Sequence, residues 1–208
     1  MKLNELKTFA HEINPSFERL GSIATLLLCS LLSGCDPHLK WNEQVELQSG
    51  EMIVIKRTAK FSENWIAGGG GGSFNKGMTI EFVKPNKPDN PTIWSALYVP
   101  MVLDRDPETK EWFILATFFH CDGWYDLGRP KLPYTEYHFR NGKWLQLPLN
   151  EKWLRREANL IVTDLAYRKV INGSLNVLTL AEKRDALASR PTVSQEYRKI
   201  VGDWSSGC

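Results

Sequence analysis

The run Trp112-Phe-Ile-Leu-Ala-Thr-Phe-Phe119 constrains this chain more than any other segment. It is short for a helix and apolar at both alternating sets of positions, so it reads as a central strand buried on both faces. Asp106-Pro107-Glu108-Thr109, with Asp and Pro at the first two positions of a type I turn, joins it to Leu97–Leu103. Pro100 makes that preceding segment an edge strand or a bulged one. Asn141-Gly142 is the clearest hairpin signal, because both turn positions need positive φ. A two-residue loop there spans strands Tyr134–Arg140 and Lys143–Leu147, pairs Phe139 with Trp144 and Tyr137 with Gln146, and points His138 to the other face.

The remaining segments carry the same period or break it. Leu39, Trp41, Val45 and Leu47 alternate with polar residues as a half-buried strand. A two-residue loop at Ser49-Gly50 predicts Leu47 opposite Met52, Val45 opposite Val54, and Glu43 in an ion pair with Lys56. Gly68–Gly72 lacks the spacing of a phosphate-binding loop and reads as a surface excursion between strands. Met78, Ile80 and Phe82 mark another strand, followed by a linker with Pro85, Pro88 and Pro91. Beyond Pro148, the residues Trp153, Leu154, Ala158 and Ile161 fit one helical stripe, while Leu160-Ile161-Val162 equally fits a short strand. Thr179-Leu-Ala-Glu182 has the form of a capping box for a helix that stops at Arg190-Pro191. Thr192-Val-Ser-Gln195 repeats it for a helix with Val193, Tyr197, Ile200 and Val201 on one face and Gly202 as its cap. The predicted class is mainly β to α+β, an antiparallel sheet of hairpins with C-terminal helices.

The N-terminal part has a different character. Leu20–Gly34 holds no charge over 15 residues. As a helix it reaches roughly 22 Å, short of a bilayer core. Lys2, Lys7 and Arg19 precede it, balanced by Glu5, Glu12 and Glu18, so it reads as an export leader that either starts nearer Arg19 or has an atypical, neutral n-region. The alternative is a short membrane helix. The leader ends in Leu32-Ser33-Gly34-Cys35, which resembles the lipobox of bacterial lipoproteins. That resemblance implies a signal peptide over residues 1–34, cleavage before Cys35, a diacylglyceryl group on its sulfur and acylation of the freed amine with fatty acids of the palmitate kind. Two or more acyl chains give stable anchoring. Residues 35–208 are then a single mature domain, with a short tether before about residue 39. Asp36 resembles the signal that retains enterobacterial lipoproteins at the inner membrane, and the domain faces the periplasm.

The net charge of +2 survives removal of the neutral leader, and the basic residues are scattered. This argues against nucleic acid as a partner. Only Cys121 and Cys208 remain beside the lipidated Cys35; in an oxidising compartment they either bridge or stay thiols. All eight Trp follow Cys35 and read first as core rings, second as a platform for an envelope glycan. His120-Cys121-Asp122 is the densest reactive cluster. Strand alternation places His120 and Asp122 on one face, where His138 could complete a metal set, yet no motif spacing supports one. The loop Asp122–Pro130 is the expected contact surface, with Trp124, Tyr125 and Arg129. Asp104-Arg105-Asp106 lacks the calcium-loop pattern and suits a hairpin turn.

Val99-Pro-Met-Val-Leu-Asp-Arg-Asp-Pro-Glu-Thr-Lys-Glu-Trp-Phe, with Trp124-Tyr-Asp-Leu-Gly-Arg-Pro, resembles a group of uncharacterised proteobacterial lipoproteins. The resemblance implies a location and no catalytic residue. The expected function is a non-catalytic, lipid-anchored envelope protein without cofactor or metal that binds a protein or glycan partner. The alternative is a periplasmic hydrolase or metalloprotein using His120, Asp122 and His138.

Overall fold

Among the described residues, eight strands build two antiparallel sheets. The computed structural model describes residues 38–66, 70–83, 91–118, 121–161, 177–189 and 198–202. The first sheet runs β1 (His38–Glu46), β2 (Met52–Ile66), β3 (Gly70–Phe82) and β4 (Trp94–Ala96). The second runs β5 (Val99–Arg105), β6 (Trp112–Thr117), β7 (Tyr134–Arg140) and β8 (Lys143–Pro148). Short helices, α1 (Cys121–Asp126) and α2 (Leu180–Ala188), and a 3-10 turn, Glu151–Trp153, complete the described elements. The chain is thus mainly β to α+β, with its hairpins divided between two sheets.

β6 explains the division. Trp112, Ile114 and Ala116 enter a core that also holds Val45, Ile55, Ile80 and Trp94 of the first sheet. Phe82 meets Trp112 edge-on at 4.8 Å, and Trp94 meets Tyr137 at 5.3 Å. The opposite residues of β6, Phe113 and Leu115, pack with Met101, Tyr134, Trp153 and Ile200 in a second cluster. An apolar strand on both faces therefore receives cover on both. β5 is an edge strand with a register irregularity between Pro100 and Val102, where a missing N–H is tolerated.

Both hairpins with a clear turn signal form, in different registers. Asn141 and Gly142 have φ of 52° and 78°, and Phe139 faces Trp144 and Tyr137 faces Gln146 as predicted. At the first hairpin the loop is Gln48-Ser49-Gly50, with Leu47 N–H donating to Glu51 O at 2.9 Å and Gly50 left-handed at φ 82°. Val45 then faces Ile53, and Glu43 faces Ile55. The predicted Glu43–Lys56 pair does not form; Lys56 instead meets Glu81 at 3.2 Å on the exposed face. A one-residue slip exchanges the two faces of a strand. The observed register turns Ile55, Arg57 and Ala59 inward, where the predicted one would have buried Lys56.

Other expectations change as well. Gly70–Gly72 belong to β3 and pair with Asn64–Ile66, because ladder hydrogen bonds require only backbone. Residues Trp153–Ile161 leave the 3-10 turn in irregular, extended form, and Ile161 N–H is used by a side chain described below. In place of the second C-terminal helix, the described residues 198–202 bridge this segment, with Ile200 N–H donating to Arg156 O and Glu157 pairing with Lys199. The proposed start of that helix, at Thr192–Gln195, lies outside the described residues. The Thr179 capping box is present: its Oγ1 accepts from Glu182 N–H at 3.3 Å and Glu182 Oε2 accepts from Thr179 N–H at 2.8 Å.

The inward Glu43 is fully buried, as is Arg57. Glu43 Oε2 accepts from Arg57 Nη1 at 2.9 Å and Trp41 Nε1 at 3.1 Å, while Oε1 accepts from Ile161 N–H at 2.7 Å and Lys183 Nζ at 3.2 Å. Arg57 also donates to Ile161 O at 2.6 Å and lies over the Trp41 ring at 4.7 Å. Lys183 further donates to Gln44 O and Asn159 O, both at 2.6 Å. Burial pushes the Lys183 ammonium below its ordinary value, against the pull of Glu43. Each partner is needed because a buried charge left alone is costly. Glu43→Gln should lower the unfolding free energy by about 3–5 kcal/mol in urea titration. Lys56→Ala should change it by less than about 1 kcal/mol, the range of surface pairs. Equal losses would support the register in which those two residues pair.

Candidate functional site

The segment expected as a loop over Asp122–Pro130 folds into α1 and a tight turn. Leu127 N–H donates to Gly123 O at 3.1 Å, Gly128 N–H to Tyr125 O at 2.9 Å, and Arg129 N–H to Trp124 O at 2.9 Å. Gly128 and Arg129 both take positive φ, 77° and 58°, which turns the chain back at the helix end. Gly123 seats the helix: a Cβ there would lie 2.6 Å from Phe118 Cβ, so no other residue fits without movement.

This turn brings Trp124, Tyr125 and Arg129 together. Trp124 Nε1 donates to Pro130 O at 3.0 Å, and the two rings lie 5.2 Å apart. The Arg129 guanidinium sits 5.0 Å from the Tyr125 ring centre and 5.9 Å from that of Trp124. Tyr125 nevertheless keeps 46% of its surface exposed. A cation held over an exposed ring is a preformed contact point, since little side-chain freedom remains to be lost on binding.

A groove of about 470 Å³ opens beside the turn, lined by Asp126, Leu127, Lys131, Tyr134, Gln146 and Leu147 among others. The sequence did not single out Asp126 or Gln146. The sequence places Gln146 opposite Tyr137, and its sharing of a groove with the end of α1 depends on how the helix returns to the sheet. Burial pushes the Tyr98 hydroxyl up, opposed by its hydrogen bond with Gln146 and aided by the negative charge of Asp126.

The reactive cluster is only partly open to description. His120 and the side chain of Asp122 lie outside the described residues, and alternation cannot extend through Cys121–Asp126, which is helical. His138 is buried beneath Phe113, with Nε2 3.3 Å from Glu136 Oε1 and Nδ1 3.5 Å from Glu111 Oε2. Glu111 is also gripped by Arg140 at 2.8 Å, and Glu136 accepts from Asn150 N–H at 3.1 Å. Among the described residues, no group of three or more His, Cys, Asp or Glu is placed to hold a metal ion. Cys121 is disulfide-bonded; Cys29, Cys35 and Cys208 all lie outside the described residues.

The remaining residues of interest have structural partners. Trp41, Trp94, Trp112 and Trp153 are buried core rings. Asp104 accepts from Gln48 N–H at 3.0 Å and from Arg156. Asp106 accepts from Glu108 N–H at 2.9 Å, Thr109 N–H at 3.2 Å and Lys152 Nζ at 2.7 Å. Burial favours the neutral acid, yet these donors hold the Asp106 carboxyl at about 2. Glu136 is lowered in the same way, with burial overcome by His138 and Asn150 N–H. Among the described residues, no helix is long and apolar enough to cross a membrane. Compared with family models, curated proteins and solved structures, the chain finds no match in any of the three.

A depressed carboxyl stabilises the fold above its unfolded value and loses that contribution as pH falls through the folded one. Asp106→Asn should therefore lower stability at neutral pH and flatten the acid decline between about pH 4 and about 2, as read by urea midpoints across pH. Unchanged slopes would remove Asp106 from the acid response. Gly123→Ala should cost about 1–3 kcal/mol, the usual penalty of forcing an atom into packed space. A wild-type unfolding midpoint would mean that α1 is not seated on Phe118.

Proposed function

We propose that this chain is a non-catalytic, lipid-anchored protein of the bacterial cell envelope whose domain binds a protein or glycan partner. The lipobox-like Leu32–Cys35 supports the anchor: Cys35 carries the lipid, and the domain from residue 35 faces the periplasm, with Asp36 favouring the inner membrane. One observation carries the binding reading. Arg129 is stacked over the exposed Tyr125 ring, on a turn pinned by Trp124, at the lip of a groove. Tyrosine, tryptophan and arginine are the residues through which interfaces gain most of their affinity. The Cys121–Cys208 pairing belongs to the same proposal, as a staple at the start of α1 in an oxidising compartment.

Tyr125→Ala removes the ring, and Arg129→Gly removes the cation while suiting the positive φ at that position. With the full-length protein immobilised in detergent, both variants should lose retention of a component of envelope extracts that the wild type holds, while melting as the wild type does. A partner lost on protease treatment of the extract is a protein; one that persists is a glycan. Retention unchanged in both variants would overturn this surface.

A further inference from the structure

At one end of the two sheets the β1–β2 turn comes against the end of β5, where Gln48 N–H donates to Asp104. The next residue, Arg105, closes β5 opposite Trp112, the first residue of β6. Between this pair and the strand ends of the first sheet lies a groove of about 500 Å³, walled by Met52, Val54, Phe82 and Val83 together with Arg105 and Trp112. Val83 N–H donates to Val54 O at 3.2 Å, which fixes the wall where β3 ends beside β2. Met52 and Val83 keep 47% and 45% of their surface exposed. Apolar side chains exposed singly carry little meaning, whereas two on one concave wall, continued inward by Phe82 and Trp112, make a place for an apolar body.

Arg105 adds a charge to that wall. Its guanidinium lies 4.5 Å from the centre of the Trp112 ring, its Nε is buried without an acceptor, and among the described residues it has no carboxylate partner. The neighbouring acid, Asp104, is occupied by Gln48 N–H and Arg156. Glu51, the other charged residue of the wall, already has a partner of its own. The cation is thus held by a ring and by no anion. A carboxylate, which meets a guanidinium through two parallel hydrogen bonds, is the stronger partner in a site that excludes water. A single guanidinium matches one negative charge, so a phosphate dianion is poorly met. The volume is that of a small-molecule site.

We infer that this groove binds a small apolar carboxylate, its alkyl body along Met52, Val54 and Val83 and its carboxylate on Arg105. The apolar wall supplies affinity by removing the chain from water, and the cation selects the acid over a neutral molecule of the same shape. The site shares no wall residue with the groove beside Tyr125 and Arg129, and it depends neither on a partner there nor on the lipid.

The test titrates the full-length protein, held in phosphatidylcholine nanodiscs, with octanoate, octanol and acetate at free concentrations fixed by dialysis, and follows the methyl NMR signals of Met52 and Val83. In the wild type, octanoate should shift both signals to saturation and bind at least about tenfold more tightly than octanol, the size of one charge-assisted contact. Acetate should shift neither. Arg105→Gln should bring octanoate down to the affinity of octanol, and Val83→Ser, read at Met52, should weaken both ligands; melting curves show whether each variant is folded. The comparison of the three ligands on the wild type stands without either variant. Octanoate and octanol bound alike, acetate bound as well as octanoate, shifts that never saturate, or a preference for octanoate that survives Arg105→Gln would overturn the site.

Discussion

The carboxylate of Glu43 is the point at which the first sheet, the segment at Ile161 and the C-terminal helix α2 are joined. It lies on β1, where Trp41 donates to it, and its other partners come from β2, from the irregular segment at Ile161 and from α2. Replacing a buried ion network by well-packed apolar residues is often neutral or stabilising, so this one is not explained by strength alone. Its geometry offers a reason. Ile161 is held through both its N–H and its carbonyl, and Lys183 draws on Gln44 O and Asn159 O as well as Glu43. An apolar cluster would tolerate α2 at several angles and heights, whereas these directional bonds accept one.

How much of this was legible depended on whether local chemistry had one solution. Asn141-Gly142 demands positive φ twice, and the hairpin followed in register. The Thr179 capping box likewise joins residues three apart. Ser49-Gly50 fits a two-residue loop and the end of a three-residue one, and only the core decides between them. Glu43 interrupts the apolar face of β1, and along the sequence the lysine across a two-residue hairpin is its nearest partner. The true partners, Arg57, Ile161 and Lys183, come from positions that no sequence period links to it. The stripe from Trp153 to Ile161 was apolar for the same non-local reason: Trp153 fills space against Phe113, and Ile161 lies beside the ion network.

The candidate contact surface was legible as a set of residues and not as a shape. Trp124, Tyr125 and Arg129 stand out by type alone. That a short helix would form at the exit of β6, and that Arg129 would adopt a left-handed backbone, follow from Gly123 fitting against Phe118 and from the hydrogen bonds of the turn. The groove is assembled from α1, β7 and β8, so its walls are known only once those elements are placed. His138 shows the reverse: a residue that looks reactive in sequence is enclosed between two glutamates and a phenylalanine ring.

Asn159 is a small member of this design with a large reach. Its side-chain amide exchanges both hydrogen bonds with the backbone of Leu103 and also donates to Glu46 O at 3.1 Å, so it completes the edge of β5 as a further strand residue would while touching the other sheet. Both donations, to Leu103 O and to Glu46 O, come from one nitrogen. Exchanging the amide for an acid, as in Asn159→Asp, puts an oxygen where that nitrogen stands and sets a carboxylate against two carbonyls. The edge strand and the joint between the sheets would then weaken together.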